Sequence, residues 1–138
     1  MNLVTPNTIS LFKTVWHYGS AGALCFFGTR DCIRAVKEKN LHLAMRVAYL
    51  ARGVFLMTAG VLSLCNVPFR YPFMAAHSIG VGIHASIWLK DPGKTIPCAL
   101  GMISSLGYVI FSLSRYPIMF AVAFVTGSTY LLLETRVV

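Results

Sequence analysis

Acidic residues are scarce. Asp31, Glu38, Asp91 and Glu134 are the only four in 138 residues, and none falls inside an apolar run. Paired carboxylates for general acid–base catalysis, and an intramembrane Asp or Glu to drive an ion pump, are therefore both missing. Charge of either sign is thin. Charged residues make up 12% of the chain and apolar residues 57%, whereas a soluble domain carries about a quarter charged. A chain this short exposes much of its surface and needs polar residues to cover it. With 12 basic and 4 acidic residues, that cover is lacking, so the missing solvent is lipid or partner protein.

Other absences narrow the chemistry. The four cysteines, Cys25, Cys32, Cys65 and Cys98, form no CxxC pair, so neither a zinc site nor a disulfide framework is indicated. They read as small packing residues. No Gly-x-Ser-x-Gly elbow, His-Glu-x-x-His or phosphate-binding glycine loop occurs, and the expectation is a non-catalytic chain. Residues 1–12 carry no charged side chain, which argues against a secretory signal peptide. The net charge of +8 does not point to nucleic acid, because no basic face interleaved with aromatics is available.

What is present is a series of five apolar blocks. They predict an all-α, polytopic membrane bundle in a single domain, with spans near 9–29, 47–65, 72–89, 95–113 and 117–133. Three blocks open on a proline in the first turn, where the lost N–H costs little. Between the first two lies a basic loop, 30–46, containing Arg30, Arg34, Lys37, Lys39 and Arg46. The first helix is expected to run on to about Lys39, with Asn40 ending it and capping the next. Arg46 and Arg52 would snorkel from the first two turns of that next helix.

Charge bias sets the orientation. Arg30, Arg34, Lys37, Lys39, Arg46, Arg52, Lys90, Lys94 and Arg136 fall on one side, against Lys13, Arg70 and Arg115 on the other. The first side is then cytoplasmic or matrix, with the N-terminus outside. Trp16, Tyr18, Tyr71 and Tyr116 suit the interfaces, and the basic loop suits anionic lipid or a partner subunit.

A faint repeat links two hairpins. Ser63-Leu64-Cys65 and Arg70-Tyr71-Pro72-Phe73-Met74 match Ser112-Leu113-Ser114 and Arg115-Tyr116-Pro117-Ile118-Met119, across a four-residue insertion. The pattern predicts hairpins 2–3 and 4–5 packed side by side. Ser78 with Gly82, Gly101 with Ser105, and Ala123 with Gly127 are small-x-x-x-small pairs suited to close helix contact, as are Gly60 and Gly107.

His77 and His84 lie two helical turns apart on one face with Trp88. Such residues at membrane depth face protein or a cavity, here as interhelical hydrogen-bonders, relay groups or haem ligands. The stretch from His77 to Asp91 resembles the cytochrome b anchor subunit of succinate dehydrogenase, which implies haem b with His77 as an axial ligand. The Ser-x-x-His-Arg quinone pattern of that family is missing, and Tyr49-Leu50-Ala51-Arg52 offers only the arginine. The leading expectation is an accessory subunit of a larger membrane complex, of the energy-transducing type, in a mitochondrial or bacterial inner membrane. A small homo-oligomeric transporter or channel is the first alternative, and a haem-b anchor the second.

Overall fold

The computed structural model describes residues 6–135, which form five α-helices and no strand. They are α1 Pro6–Lys37, α2 Leu43–Leu64, α3 Arg70–Lys90, α4 Thr95–Ser114 and α5 Pro117–Thr135, with a 3-10 turn at Pro92–Lys94 before α4. Arg136, counted above on the basic side, lies outside the described residues. Three segments are long and apolar enough to cross a membrane: Leu43–Leu64, Pro92–Ser114 and Pro117–Glu134. α1 and α3 fall short of that measure because Lys13, His17, His77 and His84 interrupt their apolar runs.

The basic region 30–46 is mostly helix, in keeping with the expected run of the first helix to about Lys39. Residues 30–37 complete α1 and residues 43–46 open α2, leaving 38–42 as the connection. At about 1.5 Å per residue, α1 is roughly 48 Å long and outruns a hydrocarbon layer of about 30 Å. Asn40 is not the cap. His42 is, with Nδ1 accepting the Ala44 N–H at 3.3 Å. Arg46 does not snorkel to solvent, because its Nε donates to the Ala35 carbonyl at 2.7 Å and satisfies an orphan acceptor near the end of α1.

The helices pack in chain order, each against the next. α1 meets α2 through a heptad of mostly small residues. Ala21, Cys25, Gly28, Cys32 and Ala35 face Tyr49, Gly53, Leu56, Gly60 and Ser63, both sets stepping by four and three. The backbones come so close that a Cβ on Gly28 would stand 2.7 Å from the Gly53 carbonyl oxygen. Cys25 and Cys32 fill the notches over Gly60 and Gly53, consistent with the packing role expected of them.

The same device recurs between α4 and α5. Ser104 Oγ donates to the Ala123 carbonyl at 2.8 Å, Gly107 backs onto Ala123, and Gly127 backs onto Ser104. The hairpin turns share one detail that the repeat did not announce. Asn66 and Arg115 each stand three residues after the matched serine, and each is left-handed, with φ of 56° and 58°. Asn tolerates that conformation and Arg accepts some strain, so the common turn geometry is imposed by the tight return of the chain.

Ile83 is the one large side chain among the described residues that is completely buried. Most long apolar side chains point outward, including Leu11, Phe12 and Phe26 on α1 and Ile118 and Val125 on α5. The inside is small and polar, and the outside is oily.

Candidate functional site

The polar interior begins with two charges on facing helices. Asp31 lies on the inward face of α1, among its small packing residues, and is 7% exposed. Arg52, beside Gly53 on α2, places Nη1 3.4 Å from Asp31 Oδ2. The contact is one of charge without hydrogen-bond geometry, and both Asp31 Oδ2 and Arg52 Nε are buried without a hydrogen-bond partner. Burial pushes the Asp31 carboxyl above its ordinary range, while Arg52, Arg34 and Arg30 pull it back. Asp31 lies in the C-terminal third of α1, two turns before its end at Lys37.

Above this pair, two arginines one turn apart converge on α5. Arg30 Nη2 donates to Glu134 Oε2 at 3.0 Å and Arg34 Nη1 to Oε1 at 3.3 Å. Arg34 Nε also donates to Glu38 at 2.8 Å, and its guanidinium lies over the Tyr49 ring, 5.2 Å from the centroid. Arg30, Arg34, Tyr49 and Glu134, with His84 and Tyr130, line a cavity of about 40 Å³. That volume admits a water or a similarly small species.

His84 closes the cavity on the α3 side. Its ring sits on Gly101 of α4, where a Cβ would come within 2.5 Å of the imidazole, and packs edge-on to Tyr130 at 5.0 Å. Gly101→Ala is therefore expected to push His84 off its seat at a cost of about 1–3 kcal/mol. A thermal melt in detergent reads this, and an unchanged midpoint would mean that the ring is not held there.

His77 has a different setting. It lies between Phe73 and Tyr108, at 4.5 and 4.6 Å between ring centroids. The aromatic chain continues through Phe120 of α5 to Trp16 of α1. His77 Nδ1 is buried without a hydrogen-bond partner, and the rings of Phe73 and Tyr108 pack on this imidazole. Both histidines face protein, but they belong to separate layers, one charged and one aromatic.

No protein-family model, curated protein or solved structure matches this chain. The resemblance of residues 77–91 to the succinate dehydrogenase anchor therefore stands without a family match, and function has to be read from the geometry. Among the described residues no group of three His, Cys, Asp or Glu side chains is placed to hold a metal ion.

The basic residues expected to work together take three separate jobs. Arg30 and Arg34 hold Glu134, Arg46 caps α1, and only Lys37 and Lys39 are left exposed toward solvent or headgroups. Of the packing glycines, Gly60, Gly101, Gly107 and Gly127 each lie against a neighbouring helix. Gly82 does not, because its missing side chain points into open space, as do those of Gly19 and Gly22. Sequence reasoning missed the Asp31–Arg52 pair and the role of Glu134. One signal was available for the first: Asp31 falls within the small-residue stripe of α1, and Arg52 adjoins the glycine that receives it.

Proposed function

We propose that this chain crosses a membrane five times and serves as a non-catalytic subunit of a larger membrane complex, of the energy-transducing inner-membrane type. It works through helix packing and lipid contact. In this topology the 38–42 connection lies on the cytoplasmic or matrix side, where Lys37 and Lys39 meet anionic lipid.

The observation that carries the reading is on the outside of the bundle. Ser78 and Gly82 on α3, and Gly19 on α1, form exposed small-residue positions, and the two glycines have nothing within 4 Å. Inside the chain the same residue types let backbones meet. Used outside, they suit a partner helix, since lipid gains nothing from a shallow notch. A groove of about 280 Å³ on the outer face of α2, lined by Val54, Met57, Thr58, Val61 and Leu62, adds apolar surface of the same kind.

Extraction in mild detergent followed by a native gel tests the proposal. The chain is expected to migrate in an assembly well above its own 15.2 kDa, and Gly82→Leu to release it while leaving its folding stability within about 0.5 kcal/mol of wild type. Migration of the wild type as a lone monomer would remove the proposal. The polar cavity between α1, α2, α3 and α5 supports a second reading, a small homo-oligomeric transporter, which solute flux in liposomes containing only this chain would establish.

A further inference from the structure

We propose that Arg30 and Arg34 form a binding site for a phosphate group, free or carried on a lipid, and that Glu134 is its built-in occupant. The inference rests on the membrane placement proposed above only for the lipid source.

The seam between α5 and α1 is the first observation. Among the described residues no Cα of α5 comes within 8 Å of α1. Side chains bridge the gap, through the Trp16–Phe120 ring contact at 5.6 Å and the two arginines on Glu134. Glu134 can therefore leave its partners without breaking backbone packing between these helices.

The donor geometry is the second. Arg30 and Arg34 stand one turn apart on α1 and direct one guanidinium N–H each at the two oxygens of a single carboxylate, 3.0 and 3.3 Å away. A phosphate offers the same pair of oxygens and more charge, and guanidiniums match such oxyanions well. The Tyr49 ring under Arg34 and the bond from Arg34 Nε to Glu38 fix the orientation of that guanidinium.

Beneath the carboxylate, the cavity holds Arg52 with Nε unpartnered, beside Asp31, His84 and Tyr130. Arg30, Arg34 and Arg52 are balanced by Asp31, Glu38 and Glu134. Displacing Glu134 leaves one net positive charge for the incoming anion to meet. The site lies on the C-terminal end of α1, level with the exposed Lys37, which is headgroup depth in the proposed topology. Glu134 thus acts as an internal competitor, and affinity for phosphate is reduced by the fraction of time it stays in place.

The test uses the full chain purified in a neutral detergent. Inorganic phosphate is titrated calorimetrically, and native mass spectrometry compares nanodiscs of phosphatidylcholine with and without phosphatidic acid. Glu134→Gln is expected to tighten binding of at least one probe about tenfold, and Arg30→Gln with Arg34→Gln in that background to abolish the gain. Tightening of inorganic phosphate alone assigns a free anion, and selective retention of phosphatidic acid assigns a headgroup. The proposal is overturned if Glu134→Gln tightens neither probe, or if Lys37→Gln with Lys39→Gln removes the binding instead. Carbonate extraction of membranes reports separately on the membrane placement, and the calorimetric arm reads the site even if that placement fails.

Discussion

Replacing Gly28 with leucine is expected to cost about 3 kcal/mol or more and to open the α1–α2 hairpin. A Cβ at Gly28 would meet the Gly53 carbonyl oxygen at 2.7 Å, the Met57 amide nitrogen at 2.8 Å and Met57 Cγ at 2.6 Å. The side chain can move aside. The two backbone atoms cannot, because they belong to the hydrogen-bonded ladder of α2, so the helices themselves must separate. Separation breaks the heptad along its length and pulls Asp31 from Arg52. Gly19→Leu and Gly22→Leu supply the control, since nothing lies within 4 Å of either position, and each should stay within about 0.5 kcal/mol of wild type. Thermal melts in one detergent compare all three. Equal loss at Gly19, Gly22 and Gly28 would show that the hairpin is not packed as described.

Arg52→Leu should rank next, at about 3 kcal/mol. Breaking one side of a buried ion pair typically costs about 3–5 kcal/mol, because the remaining charge is left uncompensated. Here the lower end applies, since the Arg52 and Asp31 side chains are 19% and 11% exposed, and Arg30 and Arg34 also lower the energy of the carboxylate. The double variant Asp31→Asn with Arg52→Leu removes both charges and should recover most of the loss. A double-mutant cycle read by thermal melting checks this, and a double variant no better than Arg52→Leu would mean that the charges are not coupled.

The pH dependence has a definite sign. Burial holds the Asp31 carboxyl above its unfolded value, and Arg52 is the largest influence pulling it down. Removing Arg52 raises it further. A carboxyl whose folded value lies above its unfolded one binds its proton more tightly in the folded state, so stability rises as pH falls through the folded value. Arg52→Leu should therefore regain stability on mild acidification more steeply than wild type does. A variant that loses stability over the same interval would contradict the burial of Asp31.

Five helices, their approximate ends and the short returns between them were legible, because apolar run length and proline position act locally. Residues 72–89 and 117–133 fell within one to two residues of α3 and α5. The run of the first helix into the basic region, to about Lys39, was legible and ends at Lys37, but the partners of its charges were not. Its charges looked solvated, yet Arg30 and Arg34 have an acceptor 100 or more residues away in Glu134, and no local pattern can show a pairing at that separation. Gly82 faces no neighbouring helix of the described chain, for a related reason. Small-x-x-x-small spacing marks a face fit for a helix but does not say whether the chain itself supplies one.

From composition and order alone follow the helices, the oily exterior and the side that carries the positive charge, since each depends on neighbours along the chain. Which histidine joins which layer, which arginine is free, and where Asp31 finds its counter-charge were decided by how the helices return on one another. Such contacts are made between residues that are distant along the chain, and their energy depends on depth and direction, which a linear pattern does not contain.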